Sequence, residues 1–181
     1  DARHPVQARL IFEELLAHHL SLMSIRAQNT REPAPAMKVS GAPMSSMIAA
    51  LPFALTGAQQ RVIDEIRADL THEHPMQRLV QGDVGSGKTV VAAAAVMLAV
   101  EAGFQAAVMA PTELLAEQHL RSFSEWLAPL GVKVTGLSGK LAARERREAL
   151  AAITSGEAKV IIGTHALFEK DAVFHRLGLI V

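Results

Sequence analysis

The segment from Gly82 to Thr89, with the sequence Gly-Asp-Val-Gly-Ser-Gly-Lys-Thr, constrains the fold of this chain more than any other feature. It fits the pattern G-x-x-x-x-G-K-[ST], whose glycines let the backbone curl so that successive N–H groups point at phosphate oxygens. The pattern needs a strand before it and a helix after it. Residues 78–81 can form that strand, and the apolar run from Val90 to Val100 can form that helix. The segment therefore predicts a phosphate loop between a buried strand and a helix.

Strand-length apolar runs alternate with helical patterns along the chain after residue 53. Strands are predicted at residues 78–81, 105–110, 132–137, 159–163 and 178–181. Helices are predicted at residues 57–70, 88–102, 113–127 and 143–155. This alternation is typical of an α/β fold, in which helices flank a parallel sheet. The final strand coincides with the end of the sequence, so we expect the chain to be a truncated part of a longer protein.

The first 52 residues do not show this alternation of strand and helix patterns. Residues 5–27 carry apolar side chains at helical spacing behind Pro5, a residue that suits the first turn of a helix. Residues 29–43 contain three prolines and Gly41 and are predicted to form a linker or irregular loop. A short helical turn is predicted at residues 45–51. We therefore expect residues 1–52 to connect an absent domain to a domain formed by residues 53–181.

Composition excludes several classes of function. The 18 basic residues are balanced by 18 acidic ones, which argues against a protein that grips nucleic acid by bulk charge. The chain has no cysteine, so disulfides, thiolate zinc sites and cysteine nucleophiles are excluded. The longest apolar run, Val90 to Val100, is shorter than the roughly 20 residues that span a bilayer. We expect a cytoplasmic protein with no membrane partner.

The loop residues can be given roles from their chemistry. Lys88 would neutralise the β- and γ-phosphates, and the Thr89 hydroxyl would ligate Mg²⁺. These two are the candidate catalytic residues. Hydrolysis also needs an acidic residue at a neighbouring strand end, but three strands end in Ala-Pro-Thr, Gly-Leu-Ser-Gly and Gly-Thr-His. The predicted nucleotide-binding residues of the loop are Gly82, Asp83, Val84, Gly85, Ser86, Gly87, Lys88 and Thr89.

A second candidate nucleotide contact lies before the helix at 57–70. Within Leu55-Thr-Gly-Ala-Gln59, the Thr56 hydroxyl and the Gln59 amide can form a capping box at the helix N-terminus. The functional alternative adds Gln59 as a bidentate reader of adenine, with Phe53 as its apolar neighbour. Both interpretations are compatible with the sequence.

These segments together resemble the first motor domain of a superfamily 2 helicase. That resemblance rests on Gln59, the phosphate loop, and the strand ends Ala110-Pro-Thr112, Ser138-Gly139 and Gly163-Thr-His165. The longer segments 78–89, 109–119 and 162–168, together with the start of the chain from His4, resemble the bacterial branch-migration helicases. The resemblance implies a RecA-like phosphate-loop motor domain, incomplete here and preceded by a long linker helix. It also implies that an Asp-Glu-x-His box, whose acids hold Mg²⁺, would follow the last strand, so we expect the isolated chain to lack ATPase and helicase activity.

The resemblance implies ATP and Mg²⁺ as cofactors and forked or branched DNA as the partner, with no other small-molecule substrate. The longer protein would remodel stalled forks and Holliday junctions in recombination and repair. The residues implied to contact DNA are Pro111, Thr112, Ser138, Gly139, Thr164 and His165.

Several alternatives stay open. Thr112 and Thr164 can be ordinary helix caps, and the basic group at 140–147 alternates with acids as a solvated helix face does. A non-catalytic nucleotide-binding module, a small-molecule kinase and the related transcription-repair coupling translocase compete with the helicase interpretation.

Overall fold

The computed structural model describes residues 5–29 and 32–181. Short 3₁₀ turns lie at Ala128–Leu130 and His165–Phe168. The remaining regular elements, in chain order, are α1 (Pro5–Asn29), α2 (Ala42–Ala49), α3 (Gly57–Asp69), α4 (Lys88–Glu101), β1 (Gln105–Met109), α5 (Glu113–Leu127), β2 (Val134–Leu137), α6 (Ala143–Thr154), β3 (Val160–Gly163) and β4 (Leu177–Ile180).

The four strands form one parallel sheet in the order β2-β3-β1-β4. Because neighbouring strands run the same way, their carboxyl ends lie at one edge of the sheet. The register shows this directly, since Met109 of β1 and Leu137 of β2 are both paired with Gly163 of β3. The predicted α/β fold with a parallel sheet flanked by helices is confirmed.

Successive residues of the inner strand β3 point to opposite faces of the sheet, as the strand period requires. Val160 and Ile162 belong to the main core together with residues of α4 and α5. Ile161 belongs to a second core, which α6 covers. Helices therefore protect both faces, and all four residues of β3 are buried.

The predicted strand at 78–81 is wrong, because residues 75–83 are assigned to no strand of the described sheet. Within residues 5–29 and 32–181, β4 pairs with β1 and with no other strand. The segment is instead fastened to α3 through Arg78, whose guanidinium pairs with Glu65 and, at 2.7 Å, with Asp69. The hydrogen bonds that Arg78 donates to the Asp69 carboxylate are the main cause that raises the pKa of Arg78 above its ordinary value. Ion pairs to α3 thus hold this segment in place of the strand–strand hydrogen bonds that the sequence predicted.

The helix α1 confirms the prediction at 5–27, but its apolar side chains are not covered. Leu10, Phe12 and Leu15 are each more than 60% exposed. Apolar residues occur on every side of this helix rather than on one stripe. By contrast, residues 32–51 pack onto the rest of the chain, with Met37, Met44 and Met47 buried in the main core.

Candidate nucleotide-binding site

The phosphate loop has the backbone shape that its sequence predicts. Gly85 and Gly87 have φ angles of 81° and 77°, values that only glycine adopts without strain. The backbone N–H of Ser86 donates to the carbonyl of Asp83 at 3.1 Å, which closes the turn. Gly87 is then the N-cap of α4, so the positive end of that helix faces the loop. This combination is an anion-binding site.

Lys88 is exposed, but its side chain lies over the loop. Its Nζ donates to the carbonyl oxygens of Gly82 at 2.7 Å and Asp83 at 2.8 Å. An ammonium held by two loop carbonyls is already located where the phosphates of a nucleotide would arrive. A phosphate could replace either carbonyl as the acceptor, so this contact presets the lysine for an anion.

The helix α4 holds these residues rigidly. Nine of its side chains are buried, and Val96 and Ala99 are completely inaccessible. It packs against α3 on one side and against β1 on the other. The position of Lys88 and Thr89 is therefore determined by a helix embedded in the main core.

Gln59 connects α3 to the phosphate loop. Its Oε1 accepts from the Thr56 N–H at 2.7 Å, while the Thr56 hydroxyl accepts from the Gln59 N–H at 3.2 Å, so the predicted capping box is present. Its Nε2 also donates to the Ser86 carbonyl at 2.9 Å. One amide hydrogen and one oxygen lone pair remain, so a nucleobase contact is still chemically possible. The role of Gln59 in reading adenine stays a prediction.

We expect Gly87→Ala to weaken nucleotide binding by roughly 10-fold or more, since loop geometry determines how its N–H groups meet a phosphate. A Cβ at this position would collide with Nε2 of Gln59, and the φ of 77° would be strained. A titration with a fluorescent ATP analogue measures the effect. Gly131→Ala is a matched control, because Gly131 has a φ of 73° with open space around it. Equal affinities of the two variants would contradict the argument.

Phe53 is 46% exposed and lines an open cavity of about 590 Å³ with Leu51, Leu55 and Gln60. The phosphate loop does not line this cavity. The structure thus places Phe53 near the start of α3, but the cavity that it lines is separate from the loop. Its predicted contact with a nucleobase remains a prediction.

Thr89 is partly buried and faces a different cavity, of about 500 Å³. Lys88, Met109 and Val181 also line this cavity, so it lies between the loop and the carboxyl ends of β1 and β4. Among the described residues, no group of three or more histidine and acidic side chains could hold a metal ion. Thr89 lines this cavity, and its role as a ligand for Mg²⁺ stays a prediction.

The strand ends predicted to contact DNA share one edge of the sheet. Pro111, Thr112, Gly139 and His165 are exposed there, and Ser138 is half-buried. The link between the ends of β1 and β2 is direct, because Lys140 forms an ion pair with Glu113. The hydrogen bond that the Lys140 ammonium donates to the Glu113 carboxylate raises the pKa of Lys140 above its ordinary value. The structure therefore brings these residues together while it pairs the nearest lysine with a carboxylate.

The two threonines of this edge behave differently. The Thr112 hydroxyl accepts from the Leu115 N–H at 3.3 Å, so Thr112 is the N-cap of α5. Thr164 is only 3% exposed, and its Oγ1 has no hydrogen-bond partner among the described residues. It makes no side-chain cap, contrary to the capping interpretation. In this conformation a phosphate could not reach Thr164 without a local rearrangement, whereas the neighbouring His165 is accessible.

The basic group after Gly139 is largely neutralised. Arg144 pairs with Glu148, and Arg146 pairs with Glu169 and Asp171 at 2.7 and 2.8 Å. The alternation of charges in the sequence therefore forms a paired surface, as the simpler interpretation predicted.

Gln105 is a structural residue that the sequence analysis missed. It is 2% exposed, and its Nε2 donates to the carbonyls of Ile153 at 2.9 Å and Ala158 at 2.8 Å. Its Oε1 accepts from the Arg176 N–H at 2.9 Å. A glutamine at the start of an apolar strand gives no local signal of this role, because all three partners are distant in sequence.

In the described part of the chain, no helix has the length and apolar character needed to cross a membrane.

Comparison with known proteins extends these observations. The family model described as DEAD/DEAH box helicase matches residues 56–181. The ATP-dependent DNA helicase RecG of Escherichia coli strain K12 is 50% identical over 179 residues, which are 99% of this chain and 26% of that protein. The RecG of Aquifex aeolicus is 42% identical over 96% of this chain and 22% of its own length. The chain thus spans about a quarter of the length of these relatives.

Solved structures give the same picture. A structure of RecG bound to a three-way DNA junction superposes with a TM-score of 0.88 and 42% identity, over 96% of this chain and 24% of that one. A hypothetical ATP-dependent RNA helicase from Sulfolobus tokodaii has a TM-score of 0.54 at 20% identity, over 72% of this chain and 37% of that one, and supports the fold alone. The match of the family model, over more than half of the chain, shows that this chain belongs to the DEAD/DEAH box helicase family.

Proposed function

We propose that this chain is the ATP-binding part of an ATP-dependent DNA helicase that remodels stalled forks and Holliday junctions in recombination and repair. The observation that carries the proposal is the phosphate loop, whose glycines, helix N-terminus and Lys88 already have the arrangement that a triphosphate needs. The similarity to RecG, which was solved on a three-way DNA junction, supports branched DNA as the partner. A cytoplasmic location fits this role.

The geometry of the loop supports a role for each of these residues. The backbone N–H groups of residues 82–89 would surround the phosphates, Lys88 would supply their counter-charge, and the Thr89 hydroxyl would be a ligand for Mg²⁺. Gln59 donates a hydrogen bond to the Ser86 carbonyl, so a base that binds Gln59 would be linked to the phosphate loop through this side chain. Val181, which follows β4, lines the same cavity as Thr89, so the carboxyl end of β4 borders the predicted Mg²⁺ site.

DNA would lie along the carboxyl edge of the sheet. Exposed Pro111, Gly139 and His165 and half-buried Ser138 offer small or polar contacts to a phosphate backbone, which carry no sequence information. Thr112 supports this edge as a helix cap, and Thr164 would have to become exposed to take part. Because the net charge is zero and the nearest cations are paired, we expect the isolated chain to bind DNA weakly.

The test compares the purified chain with its longer parent. Titration with a fluorescent ATP analogue should show Mg²⁺-dependent binding to the chain, and phosphate release should be absent. In the parent, phosphate release should occur and should rise when forked DNA is added. If the parent releases phosphate at the same rate with and without forked DNA, it is not a DNA-driven motor. Binding without release in both proteins would favour a non-catalytic nucleotide module.

A further inference from the structure

Residues 32–41, which we name the strap, connect α1 to α2 and lie on the side of the domain opposite the phosphate loop along α3 and α4. The strap contains no helix or strand. It is nevertheless fixed, because Met37 is 3% exposed and the Met37 N–H donates to the Leu70 carbonyl at 2.7 Å. A second backbone bond joins the Ala34 N–H to the Glu73 carbonyl at 3.0 Å.

The last turn of α3 holds the strap through Arg67. Its Nη2 donates to the Ser40 carbonyl at 2.9 Å. The guanidinium also lies beside Gly41, where a Cβ would be 3.4 Å from its carbon Cζ. The strap is thus tied to the C-terminal end of the helix that begins next to Gln59.

The last residue of α4, Glu101, holds the same two strap residues. Its Oε1 accepts from the Ser40 N–H at 2.9 Å and from the Ser40 hydroxyl at 2.6 Å, and its Oε2 accepts from the Gly41 N–H at 3.1 Å. A carboxylate at the C-terminus of its own helix is unfavourable, but here it faces the N-terminus of α2, where Gly41 is the N-cap. These hydrogen bonds stabilise one position of α4 relative to the strap.

Both helices therefore have one end at the nucleotide site and the other end at the strap. Gln59 and Lys88 lie in the first turns of α3 and α4, while Arg67 and Glu101 lie in their last turns. Ser40 is bonded to both distal ends, so it fixes the separation of the two helices at a point far from the loop.

We propose that Glu101 and Arg67 are positioning residues for nucleotide binding, which set the relative placement of α4 and α3 by holding Ser40 and Gly41 between them. The proposal rests on the nucleotide-binding function proposed above. It also means that the strap is part of the motor domain rather than a loose linker.

A small tilt of α4 at its strap end would displace Lys88 at its other end. The 14 residues of α4 extend about 20 Å at a rise of 1.5 Å each, so a tilt of about 3° about the distal end moves Lys88 by about 1 Å. A misplacement of that size is enough to weaken a preorganised contact substantially.

The experiment uses the complete 181-residue chain and repeats each measurement in the longer parent. The variants are Glu101→Ala, Glu101→Gln, Arg67→Met and Arg67→Lys, with Glu125→Ala, an exposed acid on α5, as the matched control. We expect Glu101→Ala and Arg67→Met to weaken Mg·ATP binding roughly 10-fold. Glu101→Gln and Arg67→Lys should retain most of the affinity, because Gln keeps an acceptor and Lys keeps a donor at a similar reach.

Hydrogen exchange separates positioning from a general loss of stability. Under native conditions, amides of residues 84–91 should exchange faster in Glu101→Ala, while amides of β3 should be unchanged. Affinities equal to the control, or exchange that accelerates evenly over the whole domain, would overturn the inference. If the unmodified chain does not bind Mg·ATP, the proposed function fails instead, and the local exchange pattern still decides whether the strap positions the loop.

Discussion

Replacing Lys88 with alanine is expected to lower the affinity for Mg·ATP about 100-fold. Hydrogen bonds to charged groups contribute about 1.5–3 kcal/mol, and a loss near 2.7 kcal/mol corresponds to about two decades of affinity. Lys88 already spans two loop carbonyls, so its ammonium is oriented before a nucleotide arrives and little of its binding energy is lost to ordering.

The same substitution should change stability little. Lys88 is exposed, and the carbonyls of Gly82 and Asp83 lie in an exposed loop, where water can replace the ammonium. A thermal melt should therefore move by no more than a few degrees, which separates loss of binding from loss of fold. Lys170→Ala, at an exposed lysine outside the loop, is the control. A Lys88 variant that binds within about threefold of the unmodified chain would contradict the assigned role, because charge-assisted contacts are worth more than that.

Gln105→Leu should lower the free energy of unfolding by about 3 kcal/mol, because a buried group that loses its partner costs about 1–3 kcal/mol. Leucine nearly preserves the volume, so packing changes little. It leaves the carbonyls of Ile153 and Ala158 without their donor and the Arg176 N–H without its acceptor. These three contacts hold the end of α6 and the approach to β4 onto β1.

Urea unfolding followed by circular dichroism measures this change. Gln118→Leu, on an exposed position of α5, is the matched control and should cost less than about 0.5 kcal/mol. A midpoint for Gln105→Leu that coincides with the control would show that water or a local shift satisfies the released groups. Nucleotide affinity, measured well below the unfolding midpoint, should remain unchanged, since Gln105 lies at the opposite end of β1 from the loop cavity.

The loop and the strand ends could be predicted because their signals are local. The shape of residues 82–89 depends on glycines within the motif, and the capping box depends on Thr56 and Gln59, which are three residues apart. Periodicity likewise predicted α4, α5 and α6 close to their observed bounds. In each case the interactions that define the structure lie within about one turn of helix.

The misses have a common physical cause, which is distance along the chain. A strand at 78–81 requires a neighbouring strand, and local hydrophobicity cannot say whether one is available or whether Arg78 will bind α3 instead. The strap was expected to be an irregular linker, and its prolines are indeed in irregular structure. Its attachment through Ser40 depends on Glu101, which is 61 residues away. Thr164 was correctly placed at a strand end, but its burial depends on how the following turn packs.

The burial of the methionines in the strap and in α2 has a consequence for oxidative chemistry. The chain has seven methionines and no cysteine, so its oxidisable sulfur is entirely thioether. Met37, Met44, Met47 and Met97 are at most 4% exposed, whereas Met23 and Met109 are 53% and 44% exposed. Peroxide should therefore convert Met23 and Met109 to sulfoxides first, while the folded core shields the four buried methionines. Because three of those four lie in or beside the strap, sulfoxide there would mark molecules whose strap had already come away from α3 and α4.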